Sequence, residues 1–143
     1  MANIVPDSFK TDLLGGVFDF DSSGGSTFKL ALYTSLANFS TSTTAYTTTN
    51  EVSSSGTNYT AGGGTLTNNG VSVSSNIAFV DFADLTFSSV TLTAVGALIY
   101  KSSSNEAVLV LDFGGSKTAT NGDFVIQFPT ANSSSAIIRL GDA

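Results

Sequence analysis

The sequence predicts an all-β protein, an antiparallel sandwich or a jelly-roll-like barrel, with a short N-terminal helix. From residue 27 onward, apolar residues recur with a period of two residues rather than the helical period of about 3.6. Clusters of Gly, Asn and Ser separate the short apolar runs, as turns separate strands. No helical pattern lies between these runs, so parallel strands joined by helices are excluded. The 143 residues suffice for one domain with a buried core.

The helix is predicted at the start of the chain, from Pro6 to Leu14. Phe9 and Leu13 fall on the same face as Leu14 at helical spacing. Proline and an acid open the segment and two glycines follow it, which is the usual punctuation of a helix. So short a helix is not stable alone, so we expect it to pack on the domain or on a neighbouring molecule. Residues 1–26 are therefore interpreted as helix and linker.

The single β domain is predicted over residues 27–143, with about seven short strands. Gly96 interrupts one apolar run and predicts a bulge there. The run 106–113 is apolar enough for a central strand. The predicted strands are 27–34, 65–73, 77–82, 90–100, 106–113, 123–128 and 136–140, with turns at 102–105, 114–116, 121–122 and 130–135.

The predicted core follows from the alternation within these strands. Its members fall on apolar faces or in continuous apolar runs, so we expect them to meet between the sheets. They are Phe28, Leu30, Leu109, Leu111, Phe113, Phe124, Ile126 and Phe128.

A long polar arm, residues 38–69, does not follow the strand pattern. Loops of this length inside a compact domain are uncommon and are often functional or disordered. We expect the arm to be ordered by a neighbouring chain, with Tyr46, Val52 and Tyr59 as anchors. The alternative is a flexible surface loop. The candidate partner-binding residues of the whole chain are therefore Phe9, Leu13, Leu14, Tyr46, Val52 and Tyr59.

Composition excludes several kinds of chemistry. The chain contains no His, Cys or Trp, which removes imidazole and thiolate catalysis, disulfides and zinc sites built from those ligands. The net charge is −6 and the five basic residues are scattered, so we expect no nucleic-acid partner. No apolar run is long enough to cross a membrane, and the N-terminus lacks a secretory signal pattern.

The remaining candidate sites have structural explanations. Asp19 and Asp21 precede two glycines, as in the first half of a calcium loop, but the expected glutamate is replaced by Leu30. We interpret this segment as a solvated turn and expect no metal and no cofactor. The other carboxylates that could act in pairs lie near strand ends, where Asp commonly accepts backbone hydrogen bonds. They are Asp81, Asp84, Asp112 and Asp123, and we expect no enzymatic activity from them.

Five blocks resemble a family of small structural proteins of tailed bacteriophages. They are FKLALYTS (28–35), AYTTTNEVSSSGTNYTAGG (45–63), VDFADLTF (80–87), TAVGALIYKSSSNEAVLVLDFGG (93–115) and GDFVIQFPTANSSSAIIRL (122–140). The resemblance covers nearly the whole chain from Phe28, and it implies no catalytic residues.

The resemblance implies a protein made in the host bacterial cytoplasm and assembled into a virion. Within that class we expect a capsid decoration or cement protein on the capsid exterior, bound to the major capsid protein as a small homo-oligomer, with a trimer favoured. The alternatives are a tail or fibre-base component, and a receptor- or glycan-binding module. The low charge fits close packing against large protein surfaces, because few ions would need to be buried.

Overall fold

The fold, taken from a computed structural model that describes residues 2–142, is built almost entirely of antiparallel strands. These residues form one helix and seven strands. They are α1 (Asp7–Leu14), β1 (Phe28–Tyr33), β2 (Gly64–Thr65), β3 (Asn68–Ser74), β4 (Ile77–Phe82), β5 (Leu85–Lys101), β6 (Ala107–Ile126) and β7 (Ile138–Leu140).

The strands form two sheets. The four-stranded sheet has the order β2-β1-β5-β6 and the three-stranded sheet has the order β3-β4-β7, with every pairing antiparallel. Residues of both sheets share one core, where the ring of Phe28 on β1 packs 5.8 Å from that of Phe82 on β4. The predicted all-β fold with a short N-terminal helix is confirmed.

The predicted core is also confirmed. Six of its eight members are buried, and Phe113 and Phe128 are half-buried against them. The N-terminal residues contribute more than expected, because Phe9, Phe18 and Phe20 enter the same core. The ring of Phe20 stacks on that of Phe28 at 4.7 Å. The helix therefore packs on its own domain, which was one of the two possibilities that the sequence left open.

The long β5–β6 hairpin corrects two of the predicted turns. Residues 114–116 and 121–122 do not end a strand, because β6 runs through both segments while it stays paired with β5. Gly114 and Gly115 lie in a large bulge, between the pairs Gly96↔Asp112 and Ala94↔Lys117. The bulge absorbs their positive φ angles of 75° and 147° without breaking the hairpin.

Gly96 lies at the predicted bulge. The pairing of β5 with β6 shifts register between Ala94 and Gly96. A Cβ atom at Gly96 would lie 2.4 Å from the Leu111 carbonyl oxygen, so close backbone approach requires glycine here.

The prediction that 106–113 forms a central strand is wrong. This part of β6 lies at the end of its sheet, where isolated bridges from Ile4 to Val110 and from Ala45 to Glu106 cover the edge. Its continuous apolar run instead reflects burial on both faces. Leu109 and Leu111 enter the main core, whereas Val110 enters a second core on the opposite face.

The arm, residues 38–69, also departs from expectation. It packs on its own domain. It is therefore ordered without a neighbouring chain and is not a flexible surface loop. Its backbone pairs with β1, where the Val52 N–H donates to the Leu32 carbonyl. It also pairs with the β5–β6 turn, where the Tyr46 N–H donates to the Asn105 carbonyl. The arm includes β2 and the first residues of β3, and four of its five bulky apolar side chains are buried: Phe39, Val52, Tyr59 and Leu66.

Candidate interaction surface

The six predicted partner-binding residues do not form one site. Phe9, Val52 and Tyr59 are buried in the chain's own core, so their side chains are not on the surface. Tyr46 is half-buried and stacks on Tyr100, with ring centroids 4.6 Å apart. The remaining two, Leu13 and Leu14, lie at the end of α1, where Leu13 is half-buried.

The arm is held by a carboxylate that the sequence did not single out. Glu51 accepts three hydrogen bonds: from the Tyr46 hydroxyl at 2.6 Å, the Tyr59 hydroxyl at 2.8 Å and the Gly62 N–H at 2.6 Å. The Tyr59 hydroxyl in turn accepts from the Leu32 N–H of β1 at 3.0 Å. This cluster ties three separate parts of the arm to the sheet.

The electrostatics of the cluster keep its phenols protonated. Burial raises the pKa of the Tyr59 hydroxyl well above its ordinary value, and the hydrogen bond to Glu51 adds to the shift. The pKa of Tyr46 is raised by the same two causes. Neutral phenols that donate to the Glu51 carboxylate stabilise the arm. The signal available in the sequence was that Glu51 is the single charged residue between residues 38 and 69.

An exposed apolar region lies where the end of α1 approaches β3 and β7 of the three-stranded sheet. We call it the apolar face. It consists of Leu13 and Leu14 from α1, Val71 and Val73 from β3, and Ile138 and Leu140 from β7. Its most exposed members are Leu14 (84% exposed), Val73 (72%), Val71 (60%) and Leu140 (58%).

Strand register explains how the apolar face arises. Val73 pairs with Ala78, which pairs with Leu140, so these three side chains lie in one row across the sheet. Val80 points to the same side of β4 as Ala78 and is buried in the core. The core-facing side of the three-stranded sheet thus continues beyond the core, and nothing within residues 2–142 covers it there.

Two open grooves adjoin the apolar face and meet at Leu13. One has a volume of about 540 Å³ and is lined by Lys10 and Arg139 along with apolar residues. The other has a volume of about 680 Å³ and is lined by Asp19 and Asp21, beside Phe18, Phe20 and Val71. The apolar face therefore has one basic and one acidic flank.

The candidate calcium loop is a hydrogen-bonded turn. Asp19 Oδ1 accepts from the Asp21 N–H at 2.9 Å, and Asp21 Oδ1 accepts from the Ser23 N–H at 3.2 Å. These bonds are the usual ones for Asp in a turn, as the sequence indicated. Within residues 2–142, no three metal-ligating side chains come together in a group.

The four candidate carboxylates each accept a backbone hydrogen bond, as predicted. The donors to Asp81, Asp84, Asp112 and Asp123 are the N–H groups of Phe82, Phe128, Gly114 and Ser89 respectively. Burial raises the pKa of Asp81, which is 1% exposed, whereas the Gly114 N–H lowers the pKa of Asp112.

Two of these carboxylates, Asp112 and Asp123, line one groove along β6. The groove has a volume of about 510 Å³, and Lys117 and Gln127 add polar groups to it. Asp84 and Asp81 do not line it. The structure thus brings one acidic pair to a common surface, beside the half-buried rings of Phe113 and Phe128.

Comparisons of the chain with family models, curated proteins and solved structures found no match. Within residues 2–142, no helix has the length and apolar character needed to cross a membrane.

Proposed function

We propose that this chain is a non-enzymatic structural protein of a bacteriophage virion, a decoration or cement protein on the exterior of the major capsid shell. The observation that carries the proposal is the apolar face, because a monomer that exposes such a surface is built to be covered by another protein. That the partner belongs to a virion is inferred from the resemblance of residues 28–140 to small virion proteins.

The rest of the molecule suits such a role. The arm is clamped to the domain through Glu51, so the chain can meet its neighbours as a rigid block and loses little conformational entropy on assembly. The surface also carries few charges, and close packing against a shell would strand few unpaired ions.

The proposed mechanism is distributed binding. A small homo-oligomer sits over junctions between major capsid subunits. Each copy holds neighbouring subunits together, and the shell gains resistance to the pressure of packaged DNA. No single contact needs to be strong, since linked contacts add through effective concentration.

The number of copies per virion tests this proposal. Quantitative mass spectrometry of purified particles should find hundreds of copies, in fixed ratio to the major capsid protein. Purified chain added to shells that lack it should bind and raise the temperature at which the shells open. A count of tens or fewer would indicate the alternative, a tail or fibre-base component.

The groove along β6 favours a second candidate, a receptor- or glycan-binding module. Carboxylate, amide and ammonium groups beside aromatic rings can bind sugar hydroxyls and pack against sugar rings. Binding of host surface glycans in calorimetry, lost in the Asp123→Ala variant and kept in Asp84→Ala, would support it. No heat with any glycan of the host surface would exclude it.

A further inference from the structure

We propose that the apolar face is the contact for a second copy of this chain, related to the first by a twofold axis. This proposal goes beyond the capsid role and needs no capsid protein, because every feature that carries it belongs to this chain. Two observations point to a second copy: an uncovered continuation of the core and paired flanks of opposite charge.

The first observation is the uncovered row of side chains. Val73 and Leu140 lie on the side of the sheet that elsewhere covers the core, and Leu14 of α1 extends the same surface. Five of the six large apolar residues that are exposed within residues 2–142 belong to α1, its entry, β3 or β7; only Val125 lies elsewhere, in the β6 groove. The apolar exposure of the chain is therefore concentrated at one end.

The second observation is the arrangement of charge. A chain of net charge −6 repels its own copies, yet the two grooves beside the apolar face carry charges of opposite sign. Its basic groove contains Arg139 and its acidic groove contains Asp19 and Asp21, and none of these three forms an ion pair within residues 2–142. A twofold axis that lies in the interface and runs between the two grooves places each basic groove opposite the acidic groove of the other copy. The charges that the monomer leaves unpaired then find partners.

Sedimentation of the purified chain over micromolar to millimolar concentrations is the first test. We expect a monomer–dimer equilibrium that Leu14→Glu and Val73→Glu each weaken by at least about tenfold, since each buries a charge at the contact. Val125→Glu is the matched control, because Val125 is equally an exposed apolar residue but lies outside the apolar face; it should leave the equilibrium unchanged. Thermal melts of all three variants should match the parent, which shows that each folds.

Charge neutralisation is the second test. Arg139→Gln, and the paired change Asp19→Asn with Asp21→Asn, should each weaken dimerisation about two- to fivefold and reduce its dependence on salt. The amides keep the oxygens that accept the backbone hydrogen bonds of the turn. All three changes together should weaken it little more than either set alone, because both sets remove the same ion pairs. Fully additive losses would contradict the twofold contact.

Other results identify other occupants and overturn the proposal. A mass of three chains would indicate a trimer, which a twofold contact does not form. A monomer at every concentration, with shell binding lost in Leu14→Glu, would assign the apolar face to the capsid subunit. A dimer unaffected by both glutamate variants would place the contact elsewhere. None of these results changes the expected copy number in the virion, so the two proposals fail separately.

Discussion

The arm and the β3–β4 hairpin make an instructive pair, because their composition and their burial run in opposite directions. The arm is rich in Ser, Thr and Asn, yet most of its bulky side chains are buried. The hairpin of residues 68–82 is rich in valine, yet Val71 and Val73 are among the most exposed apolar side chains of the chain. Apolar content therefore does not decide which of the two segments is covered.

The difference comes from where each segment lies relative to the sheets. One part of the arm runs across the outer face of the four-stranded sheet, where Phe39 packs on Tyr33 and Tyr46 packs on Tyr100. Another part enters the main core through Val52, Tyr59 and Leu66. The hairpin turns tightly at Ser75 and Asn76, whose φ angles are 52° and 63°, and its tip extends beyond the layer that covers it. A few bulky side chains that contact the sheet are enough to hold a polar segment on the domain. Valines that face no opposing layer stay exposed.

Alkaline pH should break this comparison most strongly, because it acts on buried phenols. Tyr33 donates to the Thr47 carbonyl at 2.6 Å and Tyr59 donates to Glu51. Burial raises the pKa of both hydroxyls well above their ordinary value of 10.0. A raised folded-state pKa means that the stability is fully present below about pH 10 and is lost as the pH rises. The free energy of unfolding should fall by about 2 kcal/mol for these two hydroxyls over the first pH unit above that value.

Urea unfolding curves at successive pH values measure this loss. The Tyr59→Phe variant is the control, since it removes one of the phenols with a raised pKa and should reduce the loss of stability above pH 10 by the share of that one group, about 1 kcal/mol over the first pH unit. If the free energy of unfolding did not fall above pH 10, these tyrosines would titrate as freely in the folded protein as in the unfolded chain.

Removal of the Glu51 side chain should have the next largest effect. Glu51→Ala leaves two tyrosine hydroxyls and the Gly62 N–H without their acceptor, which should cost about 2–4 kcal/mol of the free energy of unfolding. Hydrogen exchange in the arm should rise along with this loss. Glu51→Gln keeps one acceptor oxygen and should cost less. A cost below about 0.5 kcal/mol for the alanine variant would show that the arm is held by its apolar anchors alone.

A matched substitution compares the arm with the hairpin directly, beginning with the arm. Val52→Thr changes a methyl group to a hydroxyl of similar size at a buried position. The buried hydroxyl should cost about 1–3 kcal/mol. Chemical denaturation measures this free energy, and far-ultraviolet circular dichroism checks that the fold is retained.

The same substitution in the hairpin should have the smallest effect. Val73→Thr lies on a side chain that is 72% exposed and on a strand that favours β-branched residues. The free energy of unfolding of the monomer should stay within about 0.5 kcal/mol of the parent. Equal costs at Val52 and Val73, measured at a concentration below that of any association, would remove the distinction between the two segments.

Local sequence signals predicted the elements that local chemistry specifies. Proline, an acid and two glycines marked the helix that spans Asp7–Leu14. Alternation marked β1, and a nearly continuous apolar run marked β4, with their boundaries nearly as observed. Alternation also identified the core, since Leu30 and Ile126 reach it from distant parts of the chain. Periodicity suffices there because strand side chains alternate between faces whatever the partner strand is.

Only the tertiary structure decided which signals were overridden. Two glycines that would end a strand in isolation sit in a bulge of β6, because pairing with β5 on both sides holds the strand together. Glu51, one acid among uncharged residues, becomes the anchor of the arm because folding brings two tyrosines and a backbone N–H to it. The apolar face joins α1, β3 and β7, which lie at the two ends and the middle of the chain. Period and composition report on neighbours along the sequence, whereas these three features depend on which distant segments meet, and that is settled by packing.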